Sequence, residues 1–269
     1  MHFYVHQNLY FWNVDKLSVV IITLNEERNI GRAIDSVSPI SDEIIILDSF
    51  STDKTAEICQ SKGVTFVQRE WEGYSKTKNY ANPLAQFDWI FSLDADEACD
   101  QNLRENIHKE KEKGFEGVYM VNRLTNYCGK WIKHSTWYPD WKIRIFKKDN
   151  TLWVGEFVHE ELEFKDSVEI KKLDGHLEHY SYYNYKEHRQ RADKYSILTA
   201  KKLHIAGKTA GPLRPYISSF GRFVTMFVLN LGFLDGWKGF KIAQISGQSN
   251  KVKYQELRKL NKEGDQDRS

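Results

Sequence analysis

The chain has 269 residues, of which 41% are hydrophobic and 28% are charged, as in an ordinary soluble globular protein. This length allows one large domain or one domain with an appendage. The three cysteines, Cys59, Cys99 and Cys128, are odd in number and form no Cys-x-x-Cys pair, which argues against a disulfide framework and a cysteine zinc site. This cysteine usage favours a reducing, cytoplasmic compartment. The first 14 residues lack a basic n-region, a continuous apolar run and a small-residue cleavage site, so we do not expect a signal peptide.

The net charge of +2 hides an uneven distribution of charge along the chain. Residues 1–185 carry 22 basic and 30 acidic side chains, whereas residues 186–241 carry 11 basic and 3 acidic ones. A basic segment that follows an acidic body predicts an anionic partner, either phospholipid headgroups or a phosphorylated glycolipid.

Strand and helix patterns alternate over the first hundred residues. Short apolar runs at 17–23, 43–48, 64–67 and 89–93 predict four buried strands, and apolar residues at helical spacing predict helices between them. This alternation predicts right-handed crossovers and an α/β fold with a mostly parallel, Rossmann-like sheet flanked by helices.

Polar side chains follow three of these strands. Asn25, Asp48 and the pair Asp94 and Asp96 all come where a strand ends. Because ligands of parallel sheets bind beyond the carboxyl ends of the strands, this edge is the predicted site.

Asp94 and Asp96 belong to the run Leu93-Asp94-Ala95-Asp96, a DxD pattern. Side chains two apart on an extended strand share a face, so both carboxylates are expected to reach one hard cation. Mg²⁺ and Mn²⁺ prefer such oxygen ligands, and Mg²⁺ commonly binds one or two carboxylates together with substrate phosphates. The alternative is an acidic helix N-terminus with no bound metal.

Lys76 and Lys78 lie near the predicted start of a helix that we expect to run to Phe87. Positive charge near the backbone N–H groups of a helix N-terminus suits a phosphate, whereas solvated surface lysines are the alternative.

Aromatic residues become dense between Tyr127 and Trp153. They suit either the stacking of a sugar ring or a core or interface plug. His159 and His179 flank acidic residues further along the chain and are candidate functional histidines. The aromatic residues are Trp131, Trp137, Tyr138, Trp141, Phe146 and Trp153.

Residues 183–206 predict a long basic helix, and the apolar stretch 220–234 follows it. The longest uncharged run in that stretch is 12 residues, against the roughly 20 that a membrane-spanning helix needs. We expect this stretch to lie at a membrane interface or to pack on the main domain. The predicted domains are therefore 1–182 and a helical, basic region 183–269.

The motifs at 19–26, 46–55, 76–79 and 93–96, in this order and at this spacing, resemble those of glycosyltransferase family 2. Weaker features, including Trp153-Val154-Gly155 and Gly232-Phe233-Leu234-Asp235-Gly236, resemble bacterial lipopolysaccharide-core β-glucosyltransferases. The resemblance implies a GT-A fold, a nucleotide-sugar donor and, usually, inversion of the anomeric centre.

The resemblance also implies roles for single residues. The expected uridine and ribose ligands are Thr23, Asn25, Glu26 and Asp48, and the expected diphosphate ligands are Lys76, Lys78 and Asp94. Asp94 and Asp96 flank the metal, with His179 as a further ligand, and Glu160 matches the general base. Asp140 is the reserve candidate for the base. Relatives often have Gln-Arg where this chain has Thr77-Lys78, so a two-armed contact to phosphate is lost here.

The predicted function is metal-dependent transfer of a hexose from a UDP-sugar to a cell-envelope glycan, on the cytoplasmic face of the inner membrane, with no nucleic acid as partner. Two alternatives stay open: a haloacid-dehalogenase-type phosphatase that uses the DxD motif, and a non-catalytic protein that binds sugar nucleotides at a membrane surface.

Overall fold

The computed structural model describes residues 14–155 and 160–266. The chain divides into two compact units, Met1–Asn122 with Trp141–Glu178, and Arg123–Asp140 with His179–Ser269. This division differs from the predicted boundary at 182/183, because residues 123–140 belong with the C-terminal helices. Within the second unit, the Lys130 ammonium donates to the carbonyl oxygen of Asp235 at 2.8 Å. A single domain boundary cannot describe this arrangement, because the chain enters the second unit at residues 123–140 and then returns to the first.

Eleven strands and seven α-helices are present in the described part of the chain. The strands are β1 (Leu17–Thr23), β2 (Glu43–Asp48), β3 (Thr65–Gln68), β4 (Trp89–Asp94), β5 (Glu97–Cys99), β6 (Val118–Tyr127), β7 (Lys130–Trp131), β8 (Asp140–Lys147), β9 (Thr151–Val154), β10 (Glu161–Phe164) and β11 (Ile170–Tyr182). The helices are α1 (Ile30–Val37), α2 (Thr55–Ser61), α3 (Tyr74–Ala81), α4 (Gln101–Lys113), α5 (Tyr185–Ile205), α6 (Arg214–Val224) and α7 (Gly236–Gln266).

One sheet runs in the order β3-β2-β1-β4-β8-β6-β11-β5, with β7 beside β6. The pairs β3–β2, β2–β1 and β1–β4 are parallel, and β8 joins β4 antiparallel. The predicted α/β fold is therefore confirmed, with the parallel strands gathered in one half of a mixed sheet. Strands β9 and β10 form a separate antiparallel pair.

The apolar runs form strands because both faces of the parallel half are covered. All seven residues of β1 are buried, and alternate residues face different clusters. Val19 and Ile21 belong to one core cluster, and Val20 and Ile22 to another. A sheet buried on both faces requires such a continuous apolar sequence.

The helix that was expected to run from residue 74 to Phe87 is shorter. Helix α3 ends at Ala81, and a 3₁₀ turn, Asn82–Leu84, follows it. Pro83 lies in this turn, where it has no backbone N–H to continue the α-helical hydrogen bonds.

The second unit has its own core around Tyr127, Met226 and Ile242. The predicted basic helix is α5. The predicted apolar stretch 220–234 does not form one continuous α-helix. Helix α6 ends at Val224, and a π-helical turn, Thr225–Leu229, and a 3₁₀ turn, Gly232–Asp235, follow it.

The 3₁₀ turn has a structural use. The buried carboxylate of Asp235 accepts hydrogen bonds from the backbone N–H groups of Lys133 and His134 at 3.3 and 3.0 Å. A Cβ atom on Gly239 would collide with the carbonyl oxygen of Gly232, so this close approach requires glycine.

Within the described residues, no single helix has both the length and the apolar character to cross a membrane. One pair, Arg214–Leu229 with Gly232–Glu263, meets the criterion only when its two parts are taken together, and it is bent by 73°.

Candidate active site

The carboxyl ends of β1, β2 and β4 lie side by side in the first unit. Thr23 of β1 pairs with Asp48 of β2, and Ile22 of β1 pairs with Asp94 of β4. Asp48 and Asp94 therefore flank the end of β1 from opposite sides, and Asn25 follows two residues beyond it. The predicted placement of these polar residues at one edge of the sheet is confirmed.

Neutral donors surround the Asp48 carboxylate, which is fully buried. Its Oδ2 accepts hydrogen bonds from the backbone N–H of Ser51 and from Nε2 of Gln68, both at 2.9 Å. Its Oδ1 accepts from the Ser51 hydroxyl. Hydrogen bonds to an ionised acceptor are stronger than neutral ones, so Asp48 fixes the loop that follows β2.

The loops after β1 and β2 are tied to each other. Asn25 Oδ1 accepts from the backbone N–H of Thr52 at 2.8 Å, and the Asn25 backbone N–H donates to Ser51 Oγ at 2.8 Å. The backbone N–H of Glu26 donates to Thr55 Oγ1 at 2.8 Å. Asn25 has a φ of 55°, in the left-handed region that asparagine tolerates better than most residues. Two expected nucleotide ligands thus also hold the rim of the site in shape.

Two hydroxyl groups at this edge are buried without a hydrogen-bond partner among the described residues: Thr23 Oγ1 and Ser49 Oγ. Because buried polar groups are nearly always hydrogen-bonded, both are available to a ligand. Thr23 is one of the predicted nucleotide ligands. Ser49 is not, although its place directly after Asp48 could have indicated it.

Cations surround the Asp94 carboxylate. Arg144 Nη2 lies 2.8 Å from Asp94 Oδ2 and 2.5 Å from Glu97 Oε1, and Glu97 Oε2 accepts from the Asp94 backbone N–H at 3.1 Å. Arg144 and Glu97 are buried. Burial alone disfavours the charged guanidinium, but the charges of Asp94 and Glu97 outweigh it and raise the pKa of Arg144. Arg144 is therefore a permanent cation beside the DxD motif.

Lys78 of α3 joins this carboxylate to a second one. Its buried Nζ lies 3.2 Å from Asp94 Oδ1 and 3.7 Å from Glu160 Oε1. The same ammonium lies 4.5 Å from the ring centroid of Trp153, a favourable cation–π distance. The structure thus brings together Asp94, Lys78 and Glu160, three of the residues that were predicted to act at the site.

Helix α3 and strand β9 are fastened together beside this group. Asn79 Nδ2 donates to the carbonyl oxygen of Trp153 at 2.7 Å, and Asn79 Oδ1 accepts from the Trp153 backbone N–H at 2.9 Å. Ser75 Oγ donates to the carbonyl oxygens of Val154 and Gly155 at 3.0 and 2.9 Å. These bonds position the chain a few residues before Glu160.

Lys76 is exposed, whereas Lys78 is buried. Residues two apart on a helix do not face the same side, so only one of these two lysines reaches the carboxylates. The placement of both lysines beside a diphosphate stays a prediction.

Asp96 lies in the turn between β4 and β5, because β4 ends at Asp94. The expectation that the two acids share one face of an extended strand is therefore wrong. The relative orientation of the two carboxylates is therefore set by the turn, not by the alternation of side chains along a strand.

The charges of this site fit a divalent cation that binds together with a diphosphate. The three carboxylates that Arg144 and Lys78 contact exceed those two cations by one negative charge, and Asp96 adds another. Among the described residues, no group of three or more His, Cys, Asp or Glu side chains is placed to hold a metal by itself. Hard oxygen donors completed by substrate phosphates are the usual environment of Mg²⁺.

Two predicted site residues lie in the second unit. His179 Nδ1 is 3.5 Å from Thr125 Oγ1. Asp140 Oδ2 is paired with Arg123, at 2.8 Å from Nε and 2.7 Å from Nη2. His159 falls outside the described residues.

Several of the aromatic residues at 127–153 pack in cores. Trp153 and Phe146 are buried in the first unit with ring centroids 6.0 Å apart. In the second unit, Trp137 packs 5.5 Å from Tyr127 and 5.6 Å from His188. For these three residues the core interpretation is correct, and Trp153 also faces Lys78.

Comparison with known proteins agrees with this geometry. The family model for glycosyl transferase family 2 matches residues 18–165. An uncharacterized glycosyltransferase of Rickettsia typhi is 31% identical over 258 residues, which cover 91% of this chain and 87% of the relative. The lipopolysaccharide core biosynthesis glycosyltransferase LpsC of Rhizobium meliloti is 42% identical over 94 residues, which cover 33% of this chain and 34% of the relative.

A solved structure of glucosyl-3-phosphoglycerate synthase from Mycobacterium tuberculosis, in complex with Mn²⁺, UDP and glucosyl-3-phosphoglycerate, is 26% identical with a TM-score of 0.35. The match covers 43% of this chain and 45% of that chain, so this chain spans less than half of that enzyme's length.

The chain belongs to glycosyltransferase family 2, and it is a glycosyltransferase. Its α/β sheet is the one expected of the GT-A fold. The phosphatase alternative is wrong, since the family match is to transferases and the DxD motif follows the fourth strand instead of an early one.

Proposed function

We propose that the protein transfers a hexose from a UDP-sugar to a glycan of the cell envelope, such as lipopolysaccharide core, with inversion of the anomeric centre and with a divalent metal. The observation that carries this proposal is the contact of Lys78 with both Asp94 and Glu160. The Lys78 ammonium holds the carboxylates of Asp94 and Glu160 close together. A donor-binding carboxylate and a general base must both lie near the reacting sugar, so this proximity fits the two roles.

In the proposed reaction, an acceptor hydroxyl oxygen bonds to C1 of the sugar while the bond from C1 to the diphosphate oxygen breaks. The hydroxyl proton passes to a carboxylate oxygen of Glu160, and UDP leaves with the bonding electron pair. Attack on the face opposite the diphosphate inverts C1. The transition state resembles an oxocarbenium ion, as in glycoside hydrolysis.

Asp94 and Asp96 would hold the metal beside the diphosphate of the donor. When bound, Mg²⁺ or Mn²⁺ supplies positive charge to the departing UDP. Thr23 Oγ1 and Ser49 Oγ, buried without partners among the described residues, would donate to the nucleotide.

Glu160 is a better candidate for the base than Asp140. Glu160 has one cationic contact in the described structure, at 3.7 Å, whereas Asp140 forms a two-armed ion pair with Arg123. Asp140 is thus already engaged by Arg123, whereas Glu160 shares the Lys78 ammonium with the DxD motif.

The acceptor is proposed from the relative LpsC, whose name gives lipopolysaccharide core biosynthesis. The proposed location is the cytoplasmic face of the inner membrane. The cysteines of the described structure, Cys59, Cys99 and Cys128, are all free, in keeping with a reducing compartment.

The test has two parts. Thermal shift of the purified chain with UDP- and GDP-sugars, with and without Mn²⁺, identifies the donor, because a ligand of the native state raises its stability. We expect a UDP-sugar to stabilise the chain, and more strongly with the metal. Stabilisation by GDP-sugars alone would contradict the proposal.

The second part measures UDP release with a lipopolysaccharide-core acceptor. Loss of a general base costs about 10²–10⁴-fold in rate, so Glu160→Gln should fall by that amount while it still binds the donor. Asp140→Asn is the matched control and should retain most of the activity. The opposite result would assign the base to Asp140.

A further inference from the structure

Exposed apolar side chains are concentrated in one segment of the second unit. Of the 23 large hydrophobic side chains that are exposed in the described part of the chain, ten lie between residues 213 and 237. A contiguous apolar patch on a soluble protein usually marks an interaction surface. We name this segment the apolar ridge; its exposed members are Leu213, Tyr216, Ile217, Phe220, Val228, Leu229, Leu231, Phe233, Leu234 and Trp237.

Helix α6 is apolar on two sides, and only one side is used within the unit. Its inner side packs against α7, where Phe223 lies 5.7 Å from Phe240 and a Cβ atom on Gly247 would meet the carbonyl oxygen of Ser219. On the outer side, Ile217 and Phe220 are 63% and 71% exposed. Residues three apart on a helix are neighbours, so these two form a stripe that the unit's own core does not cover.

Exposed apolar residues continue along the chain after α6. The π-helical turn ends at Leu229, and Leu231 has a φ of 54°, a left-handed conformation that is unfavourable for leucine. The 3₁₀ turn that follows exposes Phe233 and Leu234, and the start of α7 exposes Trp237. Residues held in sparsely populated backbone conformations cluster at functional sites.

Basic side chains predominate in the sequence around the ridge, although Asp193 and Glu256 stand directly outside the range 194–255. Residues 194–255 contain ten Lys and Arg side chains and a single acid, Asp235. Asp235 is buried and bound to backbone N–H groups, so it does not offset the surface charge. Arg214 and Arg222 are exposed along α6, and Lys241 lies 4.9 Å from the ring centroid of Trp237.

We propose that the apolar ridge docks on an anionic phospholipid bilayer. Its apolar side chains would enter the boundary between headgroups and acyl chains, while the surrounding Lys and Arg side chains meet lipid phosphates. A second copy of the chain fits less well, because a symmetric interface places the same patch on both subunits and would bring the cations together. This inference does not rest on the proposed function, since an inactive enzyme should bind the bilayer equally well.

The first experiment is flotation of the full chain with vesicles. We expect binding to vesicles that contain phosphatidylglycerol, much weaker binding to pure phosphatidylcholine, and a decrease as salt is raised. The double variant Ile217→Ser/Phe220→Ser should lower the partition coefficient at least about tenfold, because two large apolar side chains are removed from the bilayer. Ile170→Ser is the matched control, since Ile170 is 54% exposed in the first unit.

The second experiment locates the contact. Lipids brominated in the upper acyl chain should quench the tryptophan fluorescence of the bound wild type, and Trp237→Phe should lose most of that quenching. Circular dichroism checks that each variant is folded, and Glu160→Gln should bind vesicles like the wild type.

Either of two results would overturn the inference. One is equal vesicle binding by the double variant and the wild type. The other is the absence of vesicle binding together with a concentration-dependent dimer that the double variant abolishes, which would identify a second copy as the occupant of the ridge.

Discussion

The two compact units bury ionisable side chains in opposite states. In the first unit, Arg144 is buried as a cation between the carboxylates of Asp94 and Glu97. In the second, His188 is buried among aromatic rings, and its Nδ1 lies 2.8 Å from the Tyr127 hydroxyl. Burial, with a smaller contribution from the charge of Arg189, lowers the pKa of His188 to about 4. The first unit thus contains a buried cation that carboxylates pair, whereas the second contains a buried imidazole that is kept neutral.

The largest expected effect comes from breaking the charge pair. Arg144→Met keeps an unbranched stem but leaves Glu97 without its buried cation, and it leaves Asp94 with Lys78 alone. Removing one partner of a buried ion pair costs about 3–5 kcal/mol, so we expect a loss of this size in the free energy of unfolding, measured in urea. Arg144→Lys, which keeps the charge but not the fork, should lose less. A fully stable Arg144→Met would mean that Glu97 needs no buried cation.

The second effect tests the neutral histidine. The pKa of His188 in the folded chain lies below its unfolded value, so the unfolded chain binds the proton more readily. Stability from the neutral ring is complete above about pH 6.5 and is lost as the pH falls toward 4, by roughly 3 kcal/mol. Unfolding followed by near-UV circular dichroism between these pH values measures it. His188→Gln should lack this part of the pH dependence; an unchanged slope in that variant would place the titrating group elsewhere.

The third effect concerns Lys78, a single cation that contacts two carboxylates, those of Asp94 and Glu160. Lys78→Met should lower kcat about a hundredfold, or about 2.7 kcal/mol, by releasing Asp94 and Glu160 from each other. It should also tighten Mn²⁺ binding without nucleotide, because a competing positive charge at Asp94 is gone; calorimetry measures this. Lys76→Met, on the exposed side of the same helix, is the control and should change both quantities little. Equal losses in the two variants would contradict the distinction between these lysines.

The sequence predicts what local patterns determine. Continuous β-branched runs and their breakers place β1, β2 and β4, and the rule for parallel sheets then brings Asn25, Asp48 and Asp94 to one edge. Helix periodicity places Lys78 on α3. Each of these inferences needs only neighbours along the chain.

Arg144 and Glu97 were missed because their role depends on β8 lying antiparallel beside β4, a long-range pairing. One signal was present: Arg144 stands between Ile143 and Ile145 in a strand pattern, where a charge flanked by apolar residues indicates a buried partner. The contact of Trp153 with Lys78 likewise requires β9 to lie against α3. No local sequence pattern indicates that residues 123–140 pack with the second unit.

The smallest expected effect compares Asp48 with Asp94, two carboxylates on either side of β1. Asp48→Asn keeps one acceptor oxygen but turns an amide NH₂ toward donors, Ser51 or Gln68. Because these donors are neutral, we expect a loss of about 1–2 kcal/mol in the free energy of unfolding, below that of Arg144→Met. Ser51→Ala, which removes the hydroxyl that contacts both Asp48 and Asn25, should lose a similar amount. If Asp48→Asn cost as much as Arg144→Met, neutral donors would hold a buried carboxylate as firmly as a cation does, and the contrast between the two ends of the rim would fail.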